Sequence, residues 1–223
     1  MPCYAVLSSP LGDILLLADA HSLTGLYFTD QRDCPHLPGL AVVSAVVSQP
    51  SAGTVRGRTA RTLKAVRAGA TATTDDLFAA DTPTSPAARP PQLTGLRLVQ
   101  PDTPADTLAV FQQARQELDE YWRGERQVFD VPPAPQGTLF QKRIWQALLE
   151  VSYGATLSYG ELGEHAGLGA GHGRAVGTAV GSNPISIIIP CHRILARNGT
   201  LNGYGGGLER KAALLELEGF VVG

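Results

Sequence analysis

Short apolar runs broken by turn residues fill the first part of the chain. Tyr4-Ala5-Val6-Leu7-Ser8 is followed by Pro10-Leu11-Gly12, then Ile14 to Ala18, a polar break, and Leu23 to Phe28. This pattern predicts an antiparallel β-meander. Val42 to Val47 reads as another strand and Leu93 to Val99 as a weaker one. From about 105 to 124 the period changes. Leu108, Phe111, Leu118, Tyr121 and Trp122 recur at helical spacing, with Gly124 as the stop. A second helix carries Phe140, Ile144, Trp145 and Leu148 on one face. A third starts at Ser158-Tyr159-Gly160-Glu161 and ends near Gly167, a short fourth covers Arg174 to Val180, and a last one covers Leu208 to Leu217. Two short helices joined by a tight turn outline a helix-turn-helix unit, although ordinary helical packing gives the same pattern.

Between about 49 and 104 the texture turns to Ala, Thr, Pro, Arg and Gly. Thr82-Pro83-Thr84-Ser85-Pro86 and Arg89-Pro90-Pro91 suit neither a helix nor a central strand, so part of this stretch reads as a mobile insertion. Pro132-Pro133-Ala134-Pro135 reads as a connector between domains. The predicted organisation is α+β. Residues 1–134 form a small N-terminal domain with an antiparallel sheet and a helix. Residues 135–223 form a mainly α-helical C-terminal domain with a winged-helix-like helix-turn-helix. No internal repeat is present.

Composition narrows the function. A formal charge of −2 and a pI near 6.2 exclude a broadly basic nucleic-acid coat, so any DNA contact must be local. Three cysteines match no disulfide framework, and the start Met1-Pro2-Cys3-Tyr4 lacks a signal-peptide pattern. No run is long and apolar enough for a membrane span. These features predict an intracellular, reducing, cytoplasmic setting with no membrane partner.

The densest chemistry lies in Ile187-Ile188-Ile189-Pro190-Cys191-His192-Arg193-Ile194-Leu195. A thiol at the end of an apolar run, beside a histidine and an arginine, combines shelter from water with a charge partner. A packed core thiol gives the same local pattern. Asn183-Pro184-Ile185-Ser186 precedes the run. Gly137-Thr138-Leu139-Phe140-Gln141, Ser158-Tyr159, Arg174-Ala175-Val176-Gly177, Gly203-Tyr204 and Gly206-Gly207-Leu208 accompany it.

In order and spacing, these motifs closely resemble the O6-alkylguanine-DNA alkyltransferases, also called methylated-DNA–protein-cysteine methyltransferases. The likeness is strong over about 137–219 and looser over the N-terminal meander and first helix. It implies a single-turnover suicide reaction, in which a methyl or other alkyl group passes irreversibly from guanine O6 in DNA, with O4-alkylthymine as an additional candidate, to the protein's own cysteine. By resemblance Cys191 is the acceptor, and His192 relays its proton through a water to Glu218. Glu218 stands 27 residues after Cys191 (218 minus 191); without the likeness it reads as a solvated helix-end carboxylate. Tyr159 corresponds to the tyrosine that turns the nucleotide and donates to guanine N3, and Asn183 to the residue tying the helix-turn-helix to the cysteine loop. Arg174 corresponds to the arginine that fills the space of the extruded base. Ala175, Gly177 and Ala179 correspond to small residues that let the recognition helix approach the minor groove. Tyr204, Gly205, Ile194 and Pro190 fall to the substrate pocket. The implied partner is double-stranded DNA carrying O6-alkylguanine, bound by a monomer, without a cofactor.

Two departures stand out. One extra residue falls in Gly167-Leu168-Gly169-Ala170-Gly171-His172-Gly173, which loosens the lead into Arg174. The insertion has no counterpart. Cys3, His21, Cys34 and His36 are zinc-ligand types, but their spacing fits no compact zinc motif, so no metal is expected. A lesion-binding protein of the alkyltransferase-like kind would lack the acceptor cysteine. A helix-turn-helix regulator sensing through Cys191, or a cysteine hydrolase, needs further features that the sequence does not show.

Overall fold

The computed structural model describes residues 3–37, 96–98, 100, 102–169 and 171–221. The strand expected at 42–47 and most of the 49–104 insertion lie outside them. Residues Met1–Val42 and Pro90–Gly223 form one compact unit.

The meander forms as the apolar runs and turns predict. Strands β1 (Cys3–Leu7), β2 (Ile14–Ala18) and β3 (Leu23–Phe28) pair antiparallel, and β4 (Leu96–Leu98), part of the weaker candidate, adds to the far side of β1. The sheet order is β3-β2-β1-β4. Ala5, Leu7, Ile14, Leu16, Leu26 and Phe28 supply its part of the core. Helix α1 (Ala105–Trp122) packs on this sheet through Val110, Phe111, Ala114, Leu118, Tyr121 and Trp122. Two buried positions of α1 are polar, Thr107 and Glu117. Glu117 is buried and accepts from the amides of Asp130 at 2.8 Å and Val131 at 3.0 Å, which fixes the chain leaving the helix.

Helix α2 (Leu139–Leu149) starts at a capping box made by Thr138 and Gln141, and α3 (Tyr159–His165) at another made by Ser158 and Glu161. Both are Ser/Thr-x-x-Gln/Glu signals, so these boundaries are local properties of the sequence. Helix α4 (Gly173–Gly181) follows without a side-chain cap. It packs on α3 and α2 through Val176, Ala179 and Val180, and α5 (Leu208–Leu217) closes the chain. The core is one cluster that includes residues of the sheet, all five helices and the cysteine segment.

The outer edge of β3 positions the site. Leu23 exchanges hydrogen bonds with the 132–134 segment: its amide donates to Pro132 O at 2.9 Å and its carbonyl accepts from Ala134 N at 2.8 Å. Leu26 does the same for the loop before the cysteine. Its amide donates to Pro184 O at 2.8 Å, and its carbonyl accepts from Ser186 N at 3.0 Å. The edge is thereby covered. The 132–135 stretch, read from sequence as a connector, is thus pinned to the sheet, and the 134/135 boundary falls inside the compact unit.

Candidate active site

Asn183 to Arg193 is shaped by its own polar contacts before any packing acts on it. Asn183 Oδ1 accepts from the Ile185 amide at 3.0 Å, a turn that asparagine side chains favour. The Ile188 amide then donates to Ser186 O at 2.8 Å, closing a three-residue turn about Ile187, whose φ is +69°. A β-branched residue at positive φ is strained, and Ile187 is buried, so surrounding packing holds it there. A second three-residue turn, Cys191 N to Ile189 O at 2.8 Å, is centred on Pro190 with φ −82° and ψ 63°. Cys191–Arg193 then form a 3-10 turn, and β6 (Ile194–Leu195) pairs with β5 (Leu157–Ser158), the strand that leads into α3.

Cys191 is buried and lines a cavity of about 230 Å³ with Tyr159, Gly177, Val180, Gly181, Gly203, Tyr204 and Gly205. Four of these eight residues are glycine, so much of the wall is backbone. The Asn183 amide donates to Cys191 Sγ at 3.2 Å and to Ile189 O at 2.8 Å. Burial pushes the thiol pKa up, while the Asn183 bond and the nearby charge of Lys211 oppose that shift. Lys211 is itself fully buried. Its ammonium donates to the carbonyls of Ile194 at 2.5 Å, Asn202 at 2.6 Å and Gly203 at 3.3 Å. Burial lowers its pKa to about 8, which still leaves most of the group charged at neutral pH.

Behind the cysteine lies a buried charge network. His192 is completely enclosed, and its Nε2 is 2.9 Å from Glu218 Oε1. Its Nδ1 has no protein hydrogen-bond partner. Glu218 receives five donors in all. Oε1 takes Tyr121 Oη at 2.8 Å, Arg193 Nη2 at 2.9 Å and His192 Nε2. Oε2 takes Arg193 Nε at 2.8 Å and the Gly154 amide at 3.2 Å. Burial alone would raise this carboxyl's pKa. The hydrogen bonds from His192 and Arg193 outweigh burial and hold it at about 2. Burial lowers the His192 pKa, with Glu218 opposing, so the imidazole is neutral at pH 7. An ionised Glu218 then leaves one arrangement for the ring: Nε2–H donated to the carboxylate, and Nδ1 free to accept.

Glu218 reaches this place because α5 ends there. Gly219, at φ +83°, lets the Phe220 amide turn back to Leu215 O at 2.9 Å and its own amide reach Glu216 O at 3.0 Å. Both bonds belong to the Schellman termination that glycine permits. Arg210 anchors the start of α5 to the sheet side, bonding Leu11 O at 2.7 Å and Asp30 at 2.9 Å over the ring of Phe28.

The structure gathers Cys191, Asn183, Tyr159, Gly177, Tyr204 and Gly205 around one cavity, with His192 and Glu218 behind it. Arg174 and Ala175 lie exposed on α4, outside the cavity. Ala179 does not join them. It is 2% exposed and faces α2, where its carbonyl accepts from Trp145 Nε1 at 2.8 Å. With Val176 and Val180 it forms the i, i+3, i+4 stripe that packs inward. Ile194 and Pro190, expected at the substrate pocket, do not line this cavity. Ile194 is wholly in the core, and Pro190 lines a separate cavity of about 500 Å³ that also takes in Tyr153 and Arg193.

Arg193, noted in the sequence only as a charge beside the thiol, gives that charge to Glu218 and Val151 O. Tyr121, Gly154 and Lys211 were missed. Tyr121 counted only as an apolar helix position, and Lys211 only as part of the last helix. Cys3 opens β1, His21 and His36 are exposed, and Cys34 is half-buried. Among the described residues, no three metal-ligating side chains gather.

Known proteins resemble this chain in both sequence and fold. A family model described as the DNA-binding domain of 6-O-methylguanine DNA methyltransferase matches residues 139–220. A methylated-DNA–protein-cysteine methyltransferase of Haemophilus influenzae is 54% identical over 114 residues, covering 51% of this chain and 63% of the relative. The Mycobacterium bovis protein of the same name is 53% identical over 108 residues, covering 48% of this chain and 65% of the relative. The chain thus spans slightly under two thirds of these two relatives. It spans 83% of the Mycolicibacterium paratuberculosis protein of that name, at 46% identity over 138 residues and 59% of this chain. Among solved structures, Mycobacterium tuberculosis OGT in complex with DNA superposes with a TM-score of 0.59 at 31% identity, covering 96% of this chain and 90% of that one. The Mycobacterium tuberculosis O6-methylguanine methyltransferase structure gives 0.59 at 30% identity, with coverages of 98% and 93%. The chain therefore belongs to the methylated-DNA–protein-cysteine methyltransferase family.

Proposed function

We propose that the protein repairs DNA by moving a methyl or other alkyl group from O6 of guanine, with O4-alkylthymine as a further substrate, onto its own Cys191. The observation that carries the reading is the glycine-walled cavity lined by the Cys191 thiol, backed by the buried His192–Glu218 pair. In the resting site thiol and imidazole are both neutral, which keeps an irreplaceable nucleophile unreactive until substrate fills the cavity. His192 Nδ1 then takes the thiol proton through a water. Sulfur attacks the alkyl carbon, the carbon–oxygen bond breaks, and its electron pair goes to guanine. Tyr159 donates toward guanine N3 as charge grows on the leaving base. The thioether has no return path to thiol, so each molecule acts once.

One part of the sequence reading is revised here. Glu218, saturated by five donors and with its pKa at about 2, does not take the proton. It fixes the ring tautomer and stabilises the imidazolium, as the carboxylate of a catalytic triad does. Asn183 and Lys211 stabilise the thiolate as it forms.

The substrate is reached by rotating the nucleotide out of duplex DNA, with Arg174 filling the gap and Ala175 and Gly177 meeting the minor groove. No described helix is long and apolar enough to cross a membrane. The dependence on a free thiol supports a reducing compartment, the cytoplasm.

Incubation with a duplex carrying O6-methylguanine should add a single methyl mass to the Cys191 peptide, and Cys191→Ser should abolish it. Equal labelling of the two proteins would sink the assignment. Arg174→Ala should slow repair of the duplex at least tenfold and leave reaction with free O6-benzylguanine nearly unchanged, since only the duplex requires flipping; parallel losses would refute that role.

A further inference from the structure

We propose that Tyr121, on the N-terminal helix α1, is a positioning residue that governs how strongly Glu218 holds His192. The proposal rests on the reading of His192 as the base for Cys191. Tyr121 is fully buried, with its ring 5.4 Å from those of Trp122 and Phe129 and 6.1 Å from that of Tyr153, centroid to centroid. Its hydroxyl is therefore aimed by packing, and it ends 2.8 Å from Glu218 Oε1. A phenylalanine would meet the same aromatic neighbours without having to satisfy a buried hydroxyl.

The oxygen that Tyr121 reaches is the one that accepts from His192. Three donors share Oε1, and each draws on the same negative charge. The tyrosine thus weakens the pull of the carboxylate on the imidazole without a second charge. It keeps His192 from being locked as an imidazolium before substrate arrives. Tyr121 also lies outside the 139–220 span that the family model matches, whereas Gly154, His192, Arg193 and Glu218 lie inside it. One member of the proton machinery is therefore supplied by a helix that precedes that span.

The sign of the effect follows from the donor count. Loss of the hydroxyl leaves Oε1 more negative toward His192, favours the imidazolium and raises the pH needed to free Nδ1. Transfer from free O6-benzylguanine to Cys191 should be followed from pH 5 to 9, with the His192 imidazole titrated by NMR. Tyr121→Phe should move the acid limb and the imidazole titration upward by about half a pH unit, or roughly threefold in rate on that limb. Site-specific 3,5-difluorotyrosine at 121, a stronger donor of nearly the same size, should move both downward. Leu118→Ala, a core change on the same helix, should lower the melting temperature and move neither. If the wild type transfers and neither Tyr121 replacement shifts the limb, the proposal is overturned and the acceptor reading stands. If Tyr121→Phe does not fold, the difluorotyrosine result decides alone. No transfer by the wild type would overturn the acceptor reading itself.

Discussion

Asn183 shows how one side chain shapes the surroundings of a thiol. Its oxygen shapes the turn at Ile185, and its nitrogen holds both Ile189 O and the sulfur. Loop geometry and thiol ionisation therefore share one residue. Asn183→Ala should cost about 2–3 kcal/mol, because buried groups lose their partners. It should also raise the thiol pKa and so slow iodoacetamide labelling at pH 7.5. Labelling across pH and urea unfolding would check both; an unchanged thiol titration would remove Asn183 from the chemistry. This residue was legible in the sequence through its place before Pro184 and the family likeness. Arg193 was legible as a charge near the thiol, but its partner was not. Which carboxylate a guanidinium meets depends on where the chain end folds back.

At the scale of elements, the recognition unit is well specified at one end and loose at the other. Helix α3 starts at a capping box and ends at Gly167, at φ +69°, where the Leu168 amide returns to Gly163 O at 2.9 Å. Arg143 of α2 then clamps that end, bonding Ala166 O at 2.6 Å and Gly167 O at 3.0 Å. Beyond it, α4 has no side-chain cap. The glycine-rich lead noted in the sequence is thus fastened at its start by a residue that the pattern did not single out. Arg143→Ala should weaken binding to duplex DNA several-fold, measured by fluorescence anisotropy, while the rate with free O6-benzylguanine stays within twofold. Equal losses in both assays would mean that the clamp serves the cavity and not the helix pair. Ala179 carries the complementary lesson. Its size suggests a groove contact, but a small residue on a short helix serves close packing equally well, and only the position of α2 decides between the two.

For the whole molecule, the buried network at Glu218 ties α1, the turn at Gly154, the 3-10 turn and the end of α5 into one unit. Its carboxyl is held below its unfolded value of 4.5, at about 2. The stability it contributes is therefore whole above about pH 4.5 and is lost as the pH falls through about 2. Glu218→Gln should be about 3–5 kcal/mol less stable at pH 7, since it leaves Arg193 buried without its charge partner. The gap to wild type should close as the pH is lowered from 4.5 toward 2. Urea unfolding at pH 7, 5, 4 and 3 would show this, and a gap independent of pH would argue against the ion pair as its source.

Local pattern was enough to define most of the elements, while the role of the thiol needed the family likeness. Short apolar runs between turns produced the meander and helical spacing produced five helices. Capping boxes and terminal glycines set the helix ends, because each is a local matter of backbone hydrogen bonds and side-chain period. The Cys191 motif marked the chemistry. The partners, by contrast, were settled by the packed fold. The edge of β3 holds the loop before Cys191, α1 brings Tyr121 to a carboxylate 97 residues away, and α5 brings Lys211 to the carbonyls of Ile194, Asn202 and Gly203. A buried donor takes whichever acceptor the packed chain places within about 3 Å. Spacing along the chain does not encode that distance.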